Sequence, residues 1–360
     1  MKVVITGTRG IPNVMGGVET CCEELSPRLA ARGVDLTVVR RSNYVHDGLA
    51  SWEGVKLKDI PAPKKKAFEA AVHTFRAVNF AAREHADIVH INAVGPALLV
   101  PYAKLRGLRV VFTHHGPDYE REKWGWAAKK MLRLGERMGV RYADAVTVIS
   151  EVIRSIVKDR YGRTQRVYLI HNGVPEPDIC EAPEYFAELG VEPGKYVLGM
   201  CRFVPEKRLH DLVAACEGLA GYKLVLAGDT DFEDTYSRKL KADALASGVV
   251  LTGFIRGRKL HSLLSHAACF VLPSSHEGLP IALLEAMSYR RKVLVSDIPA
   301  NLEVGLSPAN YFPCGDVAQL RSRLEALLAD SSPVSYDMSA YNWDHIAGRY
   351  LQVYESQDVL

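Results

Sequence analysis

Glu277 and Glu285 stand eight positions apart in the stretch Glu277-Gly278-Leu279-Pro280-Ile281-Ala282-Leu283-Leu284-Glu285. On an ideal helix that spacing puts two carboxylates about 80° apart and two turns distant. Pro280 suits a first helical turn, so Glu277 is expected in a loop and Glu285 within the helix. The backbone N–H groups of Gly278 and Leu279 then lie at a positive helix end, where a sugar or phosphate oxygen is stabilised. Two glutamates at this spacing are commonly solvated, but the apolar run between them argues against a solvated face. Arg202 and Lys207, in Cys201-Arg202-Phe203-Val204-Pro205-Glu206-Lys207, offer a diphosphate one planar fork and one point charge. A solvated basic loop has the same composition. Gly16 and Gly17 end the loop Thr8-Arg9-Gly10-Ile11-Pro12-Asn13-Val14-Met15-Gly16-Gly17, and adjacent glycines let a backbone approach a pyrophosphate closely or simply turn. Thr113-His114-His115-Gly116-Pro117 ends an expected strand. Its adjacent histidines point in different directions and no nearby Asp, Glu or His completes a metal set, so no metal is expected. Glu19 either faces an acceptor as an anion or balances the dipole of its own helix.

These residues need a frame. The chain opens as strand, glycine loop and helix: Lys2 to Thr6 is β-branched, Gly7 to Gly17 is loop-like, Val18 to Arg32 is helically periodic, and Gly33 stops the helix. Expected strands at Val34–Arg40, Ile88–Ile91, Arg109–Thr113 and Ala145–Ile149 alternate with helices over 67–86, 97–106, 121–142 and 151–161. After a strand at Val167–Ile170, the turn-rich run His171 to Pro183 marks a domain boundary. A second series follows, with strands at Tyr196–Met200, Lys223–Ala227, Val249–Leu251, Cys269–Leu272 and Lys292–Ser296. Helices are expected over 208–219, 234–247, 257–266, 280–289 and 316–329. Such alternation predicts parallel sheets covered on both faces, with ligands beyond the carboxyl ends of the strands. The fold class is therefore α/β, two facing doubly wound Rossmann-like domains with a deep cleft between them. The expected divisions are 1–175, 176–335 and a terminal helical segment, 336–360, packed on one domain or bridging both.

Composition narrows the classes further. Hydrophobic residues at 48% and charged residues at 24% of 360 positions exclude disordered, collagen-like and low-complexity chains. No apolar run is long enough to span a bilayer and Met1 to Thr8 reads as a core strand, so a cytoplasmic location is expected. Seven cysteines without a C-x-x-C pair predict free thiols. Residues 1–178 carry 28 Lys and Arg against 19 Asp and Glu, net +9, whereas 179–360 carry 17 against 23, net −6. Lys129, Lys130, Arg133, Arg137 and Arg141 fall within an arc of about 120° on the helix expected over 121–142. Trp124, Ala128, Met131, Leu134 and Met138 form its expected apolar arc. With the patch Lys64–Lys66, that basic, Trp-bearing face suits an anionic membrane surface, although a solvated helix face has the same pattern. Nucleic acid is not expected, because no aromatic stacking platform or recognition-helix motif is evident.

Taken together, these stretches resemble retaining glycosyltransferase family 4, enzymes of the two-Rossmann-domain GT-B fold. The Glu-x7-Glu stretch, the Arg-x4-Lys loop, the amino-terminal glycine loop and the turn His171-Asn172-Gly173-Val174-Pro175 match in order along essentially the whole chain. The resemblance implies transfer of a sugar from a nucleoside-diphosphate donor, a UDP-sugar first with GDP- or dTDP-sugars as alternatives, to a sugar or lipid-linked sugar hydroxyl. It implies catalytic roles for Glu277, His115, Arg202 and Lys207. Glu277 would hold donor-sugar hydroxyls, Glu285 the ribose hydroxyls, and the backbone around Gly253 and Phe254 the base. Gly16, Gly17, Gly278 and Leu279 would complete the donor site, with Glu19, Lys129, Lys130, Arg133 and Arg137 on the acceptor or membrane side. No cofactor is implied; Gly7-Thr8-Arg9-Gly10 lacks the G-x-G-x-x-G spacing of a dinucleotide site. A sugar-nucleotide 2-epimerase of the same architecture and a non-catalytic nucleotide-sugar or anionic-lipid binder remain the alternatives. The sequence leaves the oligomeric state open.

Overall fold

The computed structural model describes residues 1–63, 66–120, 124–230 and 233–356. Lys64 and Lys65 of the expected basic patch, and residues 121–123 at the start of the helix expected over 121–142, lie outside the described residues. The chain divides into two compact units, Met1–Gly173 with Ala340–Leu360, and Val174–Ser339.

In the first unit, eight strands form one sheet: β1 Lys2–Thr6, β2 Asp35–Arg41, β3 Ser51–Trp52, β4 Val55–Ile60, β5 Ile88–Asn92, β6 Arg109–His114, β7 Ala145–Val148 and β8 Val167–Leu169. Their order is β3-β4-β2-β1-β5-β6-β7-β8, parallel throughout except β3 against β4. Val3, Val4 and Ile5 of β1 and Ile88, Val89 and Ile91 of β5 are all but inaccessible. Continuous β-branched runs fit strands covered on both faces. The second unit holds β9 Tyr196–Met200, β10 Lys223–Ala227, β11 Val250–Gly253, β12 Cys269–Leu272, β13 Lys292–Ser296 and β14 Tyr311–Phe312. They lie in the order β11-β10-β9-β12-β13-β14, all parallel. The strand order reverses between β1 and β5 in one sheet and between β9 and β12 in the other. Doubly wound sheets bind ligands beyond the carboxyl ends of the strands at such a reversal. In this chain those ends carry the loop from Gly7, Asn92, the loop from Cys201 and the loop leading to Glu277.

The terminal helix, Trp343–Glu355, belongs to the first unit. Trp343, Ile346, Ala347, Tyr350, Val353 and Tyr354 enter one core with Cys21, Cys22, Leu25 and Leu29 of the helix Gly17–Ala31. His90 of β5 bridges Tyr354 Oη and Thr113 Oγ1 at 2.6 Å each, and Arg109 donates to the carbonyls of Val353 at 2.8 Å and Ser356 at 2.9 Å. Side chains from two strands and one helix thus fix where the chain returns. All seven cysteines are free.

Two expectations need correction. The helix expected over 121–142 runs from Trp126 to Tyr142, and its buried face is Leu132, Gly135, Glu136, Gly139 and Val140 rather than the arc through Leu134. Leu134 is exposed, as is Trp126. The glycines decide the face: a Cβ on Gly135 would meet the Val94 carbonyl at 2.1 Å, and one on Gly139 the Phe112 ring at 2.8 Å. At these two positions the helix backbone itself comes close to Val94 and Phe112, flanked by the buried side chains of Leu132 and Val140. The second correction adds the pair β3 and β4, which the expected strands omit. Val55-Lys56-Leu57-Lys58-Asp59-Ile60 is a half-charged strand that lies beside β2.

Candidate active site

In the second unit, β9 delivers the loop 201–207 and β12 the loop leading to Glu277. The backbone carbonyl of Glu206 accepts from the Ser275 N–H at 2.8 Å and from Ser275 Oγ at 3.2 Å, tying the two loops together. Lys207 Nζ then donates to Glu277 Oε1. These side chains are 16% and 8% exposed, so the contact is largely shielded from water. Arg202 is half-buried in the same loop. A Cβ on Gly228, at φ 132°, would stand 2.0 Å from the Cys201 carbonyl, so only glycine lets the end of β10 approach this loop. Gly228 N–H also donates to the Gly253 carbonyl at 2.9 Å, linking the end of β11 to the same edge. Gly253, at φ 66°, has open space where a Cβ would stand, and Phe254 is exposed with the Arg256 guanidinium 5.0 Å from its ring centroid. The helix Ile281–Ser288 starts after Pro280, with Gly278 and Leu279 just before it and a half-buried Glu285 inside it. The expected donor residues of this unit therefore sit at neighbouring strand ends, and Lys207 and Glu277 touch.

In the first unit, the glycine loop is organised around a carboxylate. Burial alone would raise the Glu19 carboxyl, but the Arg9 guanidinium beside it and hydrogen bonds from Arg9 hold it below its ordinary value. Arg9 N–H and Nε donate to Glu19 Oε1 at 3.0 and 3.2 Å, while Arg9 also reaches the Met15 carbonyl. Gly16 has φ 146°, a conformation strained for other residues, and a Cβ there would stand 2.1 Å from Glu19 Oε2 and displace the Glu19–Arg9 pair. Gly17 begins the helix Gly17–Ala31 beside open space. Glu19, expected either to face an acceptor or to balance its helix dipole, is buried and laces the glycine loop to its helix. Because its pKa is lowered on folding, this stabilisation is complete above the unfolded carboxylate pKa of about 4.5 and is lost as pH falls through the folded value. In Glu19→Gln, hydrogen-exchange protection of the Arg9 amide should fall roughly ten-fold at pH 7, the loss of a charge-assisted contact. Unchanged protection would show that the pair does not order the loop.

The twin histidines separate. His114 is fully buried, donates from Nε2 to Glu136 Oε1 at 2.8 Å and accepts the Gly116 N–H at Nδ1 at 3.1 Å. Tyr119 and Tyr161 donate to the same carboxylate, and Arg160 lies 3.3 Å from it. His114 therefore shapes its loop from within the core. His115 is half-buried, and its Nε2 lies 2.9 Å from Asn92 Oδ1. Asn92 Nδ2 donates to the Thr6 carbonyl at 3.3 Å, so Oδ1 is the atom facing the ring. That oxygen only accepts, so Nε2 carries the proton and Nδ1 of the neutral ring is an acceptor. Burial pushes the His115 pKa down to about 4, which keeps the ring neutral at pH 7. Asn92 was missed in the sequence; only its place at the end of β5, beside β1, distinguishes it. Of the expected acceptor-side residues, Lys130, Arg133 and Arg137 are exposed and Lys129 is half-buried. Lys130 Nζ lies 3.9 Å from the Trp126 ring centroid. Among the described residues no group of three His, Cys, Asp or Glu is arranged to hold a metal.

Comparison with known proteins gives this geometry its context. Residues 15–176 match the model of Glycosyltransferase Family 4 and residues 181–343 that of Glycosyl transferases group 1. The chain is 30% identical over 221 residues to the uncharacterized glycosyltransferase YqgM of Bacillus subtilis, covering 58% of each chain. The matches span 58% and 65% of the length of the first two curated relatives. The fold is that of sucrose-phosphate synthase from Thermosynechococcus elongatus, with a TM-score of 0.83 at 20% identity over 98% of both chains. It is also that of Anabaena HepE in complex with UDP, with a TM-score of 0.78 at 17% identity over 99% of this chain and 100% of that one. The order of the two matched domains and the two doubly wound sheets agree: the chain belongs to the family 4 type of glycosyltransferases.

Proposed function

We propose that the chain is a retaining, metal-independent transferase that moves a sugar from a nucleoside-diphosphate donor to a hydroxyl of a sugar or lipid-linked sugar acceptor. Polysaccharide or glycolipid assembly is the setting that fits such an acceptor. The observation that carries this reading is the shielded Lys207–Glu277 contact beside Arg202, at the point where the strand order reverses. The leaving group is a nucleoside diphosphate, so the main catalytic task is to stabilise charge developing on its β-phosphate. Arg202 and Lys207 supply fixed cations for that charge, and the N–H groups around Gly278 add donors. Glu277, oriented by Lys207, takes donor-sugar hydroxyls, and Glu285 the ribose hydroxyls. Neutral His115 offers Nδ1 to a sugar hydroxyl. The exposed Phe254 and the open Gly253 suit a base, and the UDP held by HepE makes uridine the first choice.

The test is incubation with UDP-, GDP-, dTDP- and ADP-sugars and a panel of hydroxyl acceptors. Free nucleoside diphosphate should be released with a product that keeps the donor's anomeric configuration by proton NMR. Turnover should survive EDTA, since fixed cations carry the diphosphate charge. An inverted product, an isomerised donor, or loss of turnover rescued by Mg²⁺ or Mn²⁺ would each contradict a part of the proposal.

On the acceptor side, the outer face of the helix Trp126–Tyr142 presents Lys130, Arg133 and Arg137 with an exposed Trp126. This combination supports docking on an anionic leaflet, with each basic residue contributing roughly 1 kcal/mol near the surface and salt screening the attraction. Among the described residues no helix is long and apolar enough to cross a membrane. The protein should co-sediment with vesicles containing anionic lipid at low salt, and a Lys129/Lys130/Arg133/Arg137 quadruple Glu variant should not. Equal sedimentation of the two would reduce the basic face to a solvated surface.

A further inference from the structure

The second unit has a cavity of about 560 Å³ at the amino ends of β9, β12 and β13. Arg202 follows the opposite end of β9, about 15 Å away at the rise of an extended strand. Its lining includes the basic residues His266, Arg290, Arg291 and Lys292 and the apolar residues Pro193, Ala267, Pro333 and Val334. No Asp or Glu is among the described residues that line it. This concentration of positive charge runs against a half-chain with net charge −6.

Arg291 is half-buried, and its Nε donates to the Tyr289 carbonyl at 2.8 Å. Tyr336 Oη donates to the Arg291 carbonyl at 3.0 Å, which holds the backbone in place. Among the described residues no carboxylate pairs with its guanidinium, and burial lowers its pKa, the signature of a cation removed from water without a counter-charge. Arg290 precedes it in the left-handed region, at φ 53°, with its side chain exposed. Lys292 Nζ is held by the Leu327 carbonyl at 2.8 Å and by that of Asp330. The Asp330 carboxylate accepts the Ser332 N–H at 2.9 Å, and its charge bears on Lys292 rather than on the arginines.

We propose that this cavity binds a small organic phosphate at a site separate from the donor's. Guanidinium forks of Arg290 and Arg291 match phosphoryl oxygens, and the organic part packs on Pro193, Pro333 and Val334. A volume of this size holds a metabolite rather than a bare ion.

Phenyl phosphate is a suitable probe, with inorganic phosphate and phenol as controls, in calorimetric titrations of the full chain. The parent should bind phenyl phosphate more tightly than either control. Arg290→Asn suits a left-handed backbone, and Arg291→Gln keeps a donor for the Tyr289 carbonyl. The double variant should bind phenyl phosphate roughly ten-fold more weakly. If its melting curve shows misfolding, Arg290→Asn alone should still weaken binding about three-fold, the loss of one of two forks. An Arg202→Ala/Lys207→Ala variant should bind it as the parent does. No binding to the parent, equal binding by folded arginine variants, or loss of binding in the Arg202/Lys207 variant would each overturn the proposal; the last would move the phosphate to the donor site.

Discussion

Lys207→Ala should lower kcat/KM for a nucleoside-diphosphate sugar by roughly 10- to 150-fold, the loss of a charge-assisted contact worth about 1.5 to 3 kcal/mol. Two effects combine. The diphosphate loses a cation, and Glu277, 8% exposed, loses the ammonium that orients and neutralises it. Glu277→Gln should act chiefly on kcat if, as proposed, the carboxylate holds the reacting sugar rather than the nucleotide. As the two side chains touch, their effects should not add: the double variant should lose less than the product of the single losses. Strict additivity, or single variants as active as the parent with normal melting curves, would remove the pair from the mechanism.

Asn92 should matter almost as much, although it needs no contact with substrate. Asn92→Leu frees the His115 ring from its 2.9 Å partner, and a misplaced acceptor should cost on the order of 10- to 100-fold in kcat. Asn92→Asp gives a more specific signature. In the parent, burial holds His115 near 4, below the unfolded value of 6.5, so the neutral ring's contribution to stability is complete above 6.5 and is lost as pH falls through about 4. His115 should therefore put no inflection into the parent's kcat/KM profile above about pH 5. An aspartate in place of Asn92 favours the imidazolium and should raise that pKa by roughly 1 to 3 units, bringing an acidic limb up to pH 5–7. Asp118 is the other anion favouring the imidazolium, with a lesser effect from Glu19, whereas His114 opposes it; all three are unchanged in the variant. Superimposable profiles would show that Asn92 does not set the protonation of His115.

The sequence displayed the second unit's candidate site residues more openly than those of the first. Glu277, Glu285, Arg202 and Lys207 fall in short local patterns whose turn residues announce a strand end and a helix start. That Lys207 meets Glu277, 70 positions away, follows from β9 lying beside β12, and no local pattern carries that information. Glu19 was legible as a first-turn acid, but its partner Arg9 lies across the glycine loop, so its burial was not. The face of the helix Trp126–Tyr142 was misread because apolar residues were weighed and glycines were not. Gly135 and Gly139 set that face by what they lack. Strand β4 escaped because three of its six residues are charged and its neighbour β2 comes fourteen residues earlier.

The most direct test of the account is isothermal titration of UDP, GDP, dTDP and ADP into the parent protein and into Lys207→Ala, whose fold is checked by its melting curve. At least one nucleoside diphosphate should bind the parent, with UDP first, and should bind Lys207→Ala roughly ten-fold or more weakly. Binding of none of the four, or equal binding by both proteins, would contradict the assignment of the Arg202, Lys207 and Glu277 cluster to a nucleotide-sugar donor.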